Sequence, residues 1–228
     1  MAVWLPAFTW TKERVLLHLE ALAEAGFFAV SFDLREHGER HLAGEAMPAM
    51  AARVRNNRQR YFWPIIGHTA EDVSRAIDWA VACFGVTGRI VCGGVSAGGD
   101  IAVTAASLDR RITAVNACIA TPDWSRHGSA EDQGAADEQS LRLFRALNPI
   151  DHLDRFAHRP WLRFDNAADD TLVPPEAARR FQALLAKKHY REQPERIEIY
   201  EQSGIGHAFH DEMWERSLRW LSQFRSAR

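Results

Sequence analysis

Arg89-Ile90-Val91-Cys92-Gly93-Gly94-Val95-Ser96-Ala97-Gly98-Gly99 is the stretch on which the reading of this chain turns. Its first half is a short β-branched and small apolar run of the kind that makes a buried strand. Its second half opens a segment of small residues, among them Ala102, Ala105 and Ala106, that lets a helix lie close against a sheet. The junction reads Gly94-Val95-Ser96-Ala97-Gly98, a GxSxG pentapeptide. The letters alone are weak, but a strand before and a small-residue helix after are what a nucleophile elbow requires. The turn forces the serine into a strained conformation, so side chains two positions to either side must be nearly absent. The plainer reading is a glycine-rich strand–helix turn or a phosphate cradle; no Lys-Ser or Lys-Thr follows, as a P-loop demands.

Outward from this unit the chain keeps alternating strand and helix patterns. Residues 2–5 read as a strand stopped by Pro6, and 12–25 as a helix with a stripe of Val15, Leu16, Leu19 and Leu22 ended by Gly26. Residues 27–32 read as a buried strand, 33–57 as a charged, irregular surface excursion, and 69–84 as a helix with Val73, Ile77 and Val81 four apart. Beyond the elbow, strands are expected at 112–119, 161–164 and 196–200, and helices at 175–187 and 211–224. Between 121 and 156 the pattern weakens to one short helix near 141–147, a small lid-like insertion and not a second domain. This rhythm predicts a single α/β domain over 1–228, a three-layer α/β/α sandwich on a mostly parallel sheet of about six strands.

Composition agrees and excludes other classes. In 228 residues, 46% apolar and 25% charged describe a globular chain, neither disordered nor collagenous. Twenty-eight basic against thirty acidic residues supply no positive field for nucleic acid. Cys83, Cys92 and Cys118 form neither a disulfide framework nor a zinc pattern, which fits a reducing compartment. The stretch Met-Ala-Val-Trp-Leu-Pro shows no basic n-region before its apolar run, so no secretory leader is expected, and no apolar run approaches the roughly 18 residues of a membrane span. We therefore expect a cytoplasmic protein with no nucleic-acid or membrane partner.

A serine hydroxyl is a poor nucleophile at neutral pH, so Ser96 needs a base and a group to orient that base. Two carboxylates, Asp169 and Asp170, stand in the turn Asp169-Asp170-Thr171-Leu172-Val173-Pro174 after a later strand. His207 follows the last strand in the glycine-rich loop Gly204-Ile205-Gly206-His207. Each therefore follows a different strand, on the side where open α/β sheets build sites.

With these residues in order, the chain resembles the α/β-hydrolase-fold serine hydrolases, in particular the dienelactone-hydrolase-like and prolyl-oligopeptidase-like esterases. VWLPAFTWTKE resembles the family's first strand and oxyanion loop, LAEAGFFAVSFDLREHGER its helix–strand–loop ending in D-x-x-x-HG-x, GGVSAGG its elbow, DDTLVPP its D-x-x-VP acid turn, and GIGHAF its histidine loop. The resemblance implies Ser96 as nucleophile, His207 as general base and then acid, and Asp170 as the orienting carboxylate. Asp169 is the rival that the D-x-x-VP spacing disfavours. It also implies an oxyanion hole made by the N–H groups of Phe8 and Ala97. Where the family carries His-Gly, this chain has Pro6-Ala7, and Pro6 has no N–H. The family's first antiparallel strands are expected to be missing, leaving a minimal fold with a shallow, little-covered site.

Weaker signals complete the reading. His37 and His41, with Glu36 and Glu39, read as solvated loop residues. His207, His210 and Asp211 lack a further ligand, so no metal and no cofactor are expected. Trp10 and Trp124, both just past strand ends, are candidates to wall a substrate pocket. The function expected is hydrolysis of small-molecule carboxylic esters, with thioesters or small amides as the wider class, through an acyl-serine. The alternatives are acyl transfer by the same three residues and a catalytically silent binding protein.

Overall fold

The computed structural model describes residues 1–225. Its strands are β1 Ala2–Leu5, β2 Ala29–Val30, β3 Ile90–Val95, β4 Ile112–Cys118, β5 Trp161–Ala167 and β6 Ile197–Gln202. They form one sheet in the order β2-β1-β3-β4-β5-β6, and every pairing is parallel. The register runs Val3 to Cys92, Cys92 to Val115, Val115 to Leu162 and Leu162 to Ile197. Parallel neighbours need crossover connections, and the crossover helices cover both faces. On one face lie α2 Met47–Asn56, α3 Arg58–Phe84, α4 Ala97–Leu108, α5 Glu138–Leu147 and α6 Glu176–Lys188; on the other, α1 Leu16–Glu24 and α7 Asp211–Leu221. This is the three-layer sandwich that the alternation predicts.

Strand periodicity sorts the core into two halves. In β1, Val3 and Leu5 point to the larger face, while Ala2 and Trp4 meet α1 and α7. Helix α4 is buried along almost its whole length, which its run of Ala, Gly, Ser and Thr permits. The site-bearing strand β3 is buried at every position and lies between β1 and β4, at the centre of the sheet.

Four expectations change. The strand over 27–32 shortens to the two residues of β2, half-buried and paired on one side only, because it is the edge of the sheet. The excursion over 33–57 contains α2, and α3 begins at Arg58, eleven residues before the expected 69. Pro64 and Gly67 hid those first turns. Yet the Asn57 side chain caps them by accepting from the Arg60 N–H at 3.1 Å, and Gly67 leaves room for Leu147 and Trp124 to press in. In α1 the buried positions are Val15, just before it, and Leu22; Leu16 is exposed. No helix among the described residues is long and apolar enough to cross a membrane.

Candidate active site

Ser96 sits between β3 and α4 at φ 51°, ψ −114°, a backbone conformation that costs a non-glycine residue on the order of 1–3 kcal/mol. Its neighbours make that conformation possible. A Cβ on Gly94 would stand 2.6 Å from the Leu5 carbonyl oxygen, and one on Gly98 would stand 2.4 Å from the same atom. The elbow is thus pressed against the end of β1, and the Ser96 N–H donates to the Cys118 carbonyl at 2.8 Å. The turn lifts the hydroxyl to the floor of a pocket of about 350 Å³.

Two further loops bring their side chains to it. Nε2 of His207 lies 2.9 Å from Ser96 Oγ, and Nδ1 lies 2.6 Å from Asp170 Oδ2. A carboxylate can only accept, so Nδ1 carries the proton and Nε2 is free to take one from the serine. The other Asp170 oxygen accepts the Leu172 and Val173 N–H groups at 2.9 Å each, which fixes the plane of the buried carboxylate. Asp169 points elsewhere: its Oδ2 accepts the Gly204 N–H at 2.8 Å and ties down the loop that carries His207. Of the two carboxylates, geometry joins Asp170 to the imidazole and gives Asp169 the loop.

Phe8 lines the pocket and Ala97 directly follows Ser96, and neither N–H donates to another group among the described residues. Ala97 is the first residue of α4, where a helix leaves its N–H groups unpaired. Phe8 is placed by a different device. The next residue, Thr9, lies at φ 68°, rare for a β-branched side chain, and its N–H donates to Nε2 of His37 at 3.0 Å. His37 Nδ1 lies 2.8 Å from the Arg35 carbonyl, so that nitrogen holds the proton and Nε2 is a fixed acceptor. The Phe8 ring meets the His37 and Phe62 rings edge-on, each at 5.4 Å. Asp33 secures the loop further, accepting the Lys12 N–H at 2.8 Å and the Glu39 N–H at 3.0 Å. The missing His-Gly therefore leaves a loop held from outside, and Pro6 gives up no donor that the pocket uses.

Strain gathers here. Six non-glycine residues have positive φ among those described, and four of them, Thr9, Ser96, Ile119 and Arg126, line this pocket. Such conformations persist only where the surroundings over-determine them. The walls include the first turns of α3, with Arg58 and Phe62, and the segment from Arg126 to Glu131. That segment is tied down by Arg126 to Asp100 at 2.7 Å and by Arg58 to Glu131 at 2.5 Å, while α5 stacks on α3 through Trp63 and Phe144 at 4.2 Å. The stretch expected as a lid lies along α3 and contributes one wall. With Ser96 only 7% exposed, the site is recessed, not shallow.

Two sequence expectations need correction. Trp10 lines the pocket, but Trp124 does not: it is buried in the core, its Nε1–H directed at Thr104 Oγ1 at 3.3 Å. An indole hides roughly 150–250 Å², so at about 25 cal/mol per Å² its full burial is favourable by ~4–6 kcal/mol, more than a half-exposed pocket position returns. His37, expected in a solvated loop, is fully buried. Its signal was in DLREHGER: a Cβ on Gly38 would collide with the Asp33 carboxylate at 2.3 Å, so the His-Gly pair folds inward around Asp33. Arg58 and Arg126 carried no local signal at all.

Comparison with known proteins gives a consistent picture. The profile of the family described as X-Pro dipeptidyl-peptidase (S15 family) matches residues 5–219. YitV of Bacillus subtilis strain 168, whose name assigns it provisionally to the esterases, is 26% identical over 98% of this chain and 89% of its own. Among solved structures, TT1662 from Thermus thermophilus superposes with a TM-score of 0.75 at 23% identity, over 100% of this chain and 89% of that one. The Pyrococcus furiosus esterase Pf2001 follows at 0.66 and 17%, over 98% and 82%. A puromycin-hydrolyzing peptidase of Mycobacterium tuberculosis gives 0.70 and 18%, the chain spanning 98% of itself and 33% of that protein. The structural likenesses establish the α/β-hydrolase fold.

Proposed function

This chain belongs to the X-Pro dipeptidyl-peptidase (S15) family and is a serine hydrolase of the α/β-hydrolase fold, and from that premise we propose that it cleaves carboxylic esters of small molecules through an acyl-Ser96 intermediate. The observation that carries the proposal is the unbroken line Ser96 Oγ, His207 Nε2, His207 Nδ1, Asp170 Oδ2, with links of 2.9 and 2.6 Å, in a pocket that Ser96, His207 and Phe8 line.

In this reading Ser96 Oγ attacks the ester carbonyl as its proton passes to His207 Nε2. The imidazolium is stabilised by Asp170, and the oxyanion by the Phe8 and Ala97 N–H groups, each such donor being worth about 3–4 kcal/mol at the transition state. Collapse expels the alcohol, which takes the proton from Nε2; water then repeats the sequence on the acyl-enzyme. A dipeptidyl-peptidase must recognise the ammonium at a peptide's N-terminus. Among the described residues Glu131 is the one carboxylate in the pocket lining, and Arg58 already holds it, which favours the ester over the family's peptide chemistry.

The test is turnover of p-nitrophenyl acetate and butyrate, with labelling by a fluorophosphonate, before and after Ser96→Ala. The wild type should turn over and label, and the variant should do neither while keeping its thermal transition. Turnover that survives the substitution overturns the assignment.

A further inference from the structure

Two guanidinium groups stand together in the wall of the Ser96 pocket. Arg58, in the first turn of α3, and Arg126, after β4, are 7% and 5% exposed, and each lies against the Phe62 ring, 5.3 and 5.1 Å from its centroid. Each has a single carboxylate partner: Arg58 Nη2 donates to Glu131 Oε1 at 2.5 Å, and Arg126 Nη2 to Asp100 Oδ2 at 2.7 Å. Neither Nε–H finds an acceptor among the described residues. Arg55 also lines the pocket, so the lining carries three arginines against Glu131, with Asp100 outside it.

This arrangement is costly as mere structure. Burial, and after it the charge of Arg126, holds the Arg58 guanidinium below its ordinary pKa. A buried ion pair is commonly matched or bettered by apolar side chains of the same volume. Arginine presents a planar fork suited to carboxylate and phosphate oxygens, and with Arg55, Arg58 and Arg126 against Glu131 the pocket lining carries more cationic than anionic side chains.

We infer that the ester taken at Ser96 carries an anionic group, a carboxylate or a phosphate, which docks against Arg58 and Arg126 while the ester carbonyl lies at Phe8 and Ala97. The inference rests on the ester-hydrolase reading and narrows it from small esters in general to acidic ones.

The experiment compares matched substrates. On the acyl side these are p-nitrophenyl hydrogen glutarate and its neutral methyl ester. On the alcohol side they are p-acetoxybenzoate and p-acetoxyphenyl phosphate against methyl p-acetoxybenzoate, which separates carboxylate from phosphate. At least one anionic member should exceed its neutral partner in kcat/KM by about ten-fold or more. That ratio should shrink as salt rises, collapse toward one in Arg58→Gln, and recover in part in Arg58→Lys. Should Arg58→Gln fail to fold, the salt dependence of the wild-type ratio still decides. A wild type that labels with a fluorophosphonate and cleaves neutral esters as well as acidic ones overturns this inference alone. A wild type that neither labels nor cleaves any of them overturns the hydrolase reading, and this one with it.

Discussion

The two N–H groups that flank Ser96 are held in opposite ways. Ala97 owes its position to the turn between β3 and α4, where glycines, strained serine and helix start lie within five residues. Phe8 owes its position to the far side of the chain. The His37 that accepts the neighbouring Thr9 N–H is 28 residues away, and the Asp33 that anchors Lys12 is 21 away. One donor moves only if the elbow itself moves. The other can be loosened with the sheet intact, so the same pocket has a stiff half and an adjustable half.

The most severe way to break this contrast is to disturb both halves at once. In Gly98→Ala the new Cβ would face the Leu5 and Pro6 carbonyl oxygens at 2.4 and 2.7 Å, forcing the elbow from the first loop. With each donor of the proposed oxyanion hole worth about 10²–10³ in kcat, kcat for p-nitrophenyl butyrate should fall by roughly 10⁴ or more. Activity within ten-fold of wild type would show that the two loops are not coupled through Gly98.

A narrower cut isolates the adjustable half. His37→Ala should lower kcat by about 10- to 100-fold and leave KM within about three-fold if the Phe8 N–H serves the proposed oxyanion hole, since such a donor acts on charge that develops in the transition state. His37→Gln, whose amide oxygen can accept from Thr9, should recover part of the loss. A change confined to KM would mean that Phe8 acts on substrate binding instead.

The same histidine should leave a mark on stability. Burial holds His37 and His18 below their ordinary value of 6.5, against opposing pulls from the Arg35 and Val15 carbonyls respectively. Their folded-state pKa values are depressed, so the unfolded chain binds more protons in acid. The stabilisation is complete above pH 6.5 and is lost as pH falls through that value toward the folded pKa, at no more than about 1.4 kcal/mol per pH unit for each group. Urea midpoints measured from about pH 7.5 to about pH 5.5 should fall, less steeply in His37→Gln. A midpoint that rises on acidification contradicts the buried neutral imidazole.

The smallest effect belongs to Asp169, which holds a loop where its neighbour Asp170 holds the imidazole. Asp169→Asn keeps an oxygen for the Gly204 N–H and should change kcat/KM by less than about three-fold. Asp170→Asn should cost about 10⁴, since an amide there favours the wrong imidazole tautomer. Equal losses in the two variants would erase that division.

What the sequence determined by itself is whatever short spacing encodes. Strand period, the clearance that Gly94 and Gly98 provide, the placement of Ser96 at a helix start and the order of Asp170 and His207 are statements about a few adjacent residues. Local sterics and backbone hydrogen bonding enforce them whatever else is nearby. Tertiary structure alone decided the start of α3, where Asn57 and the close approach of Trp124 and Leu147 outweigh the helix-breaking content of Pro64 and Gly67. It alone sent Trp124 into the core and His37 beneath Phe8, and set Arg58 beside Arg126. Each of those outcomes depends on which distant surface a side chain meets. Burial and charge pairing are settled by that partner, and no spacing along the chain names it.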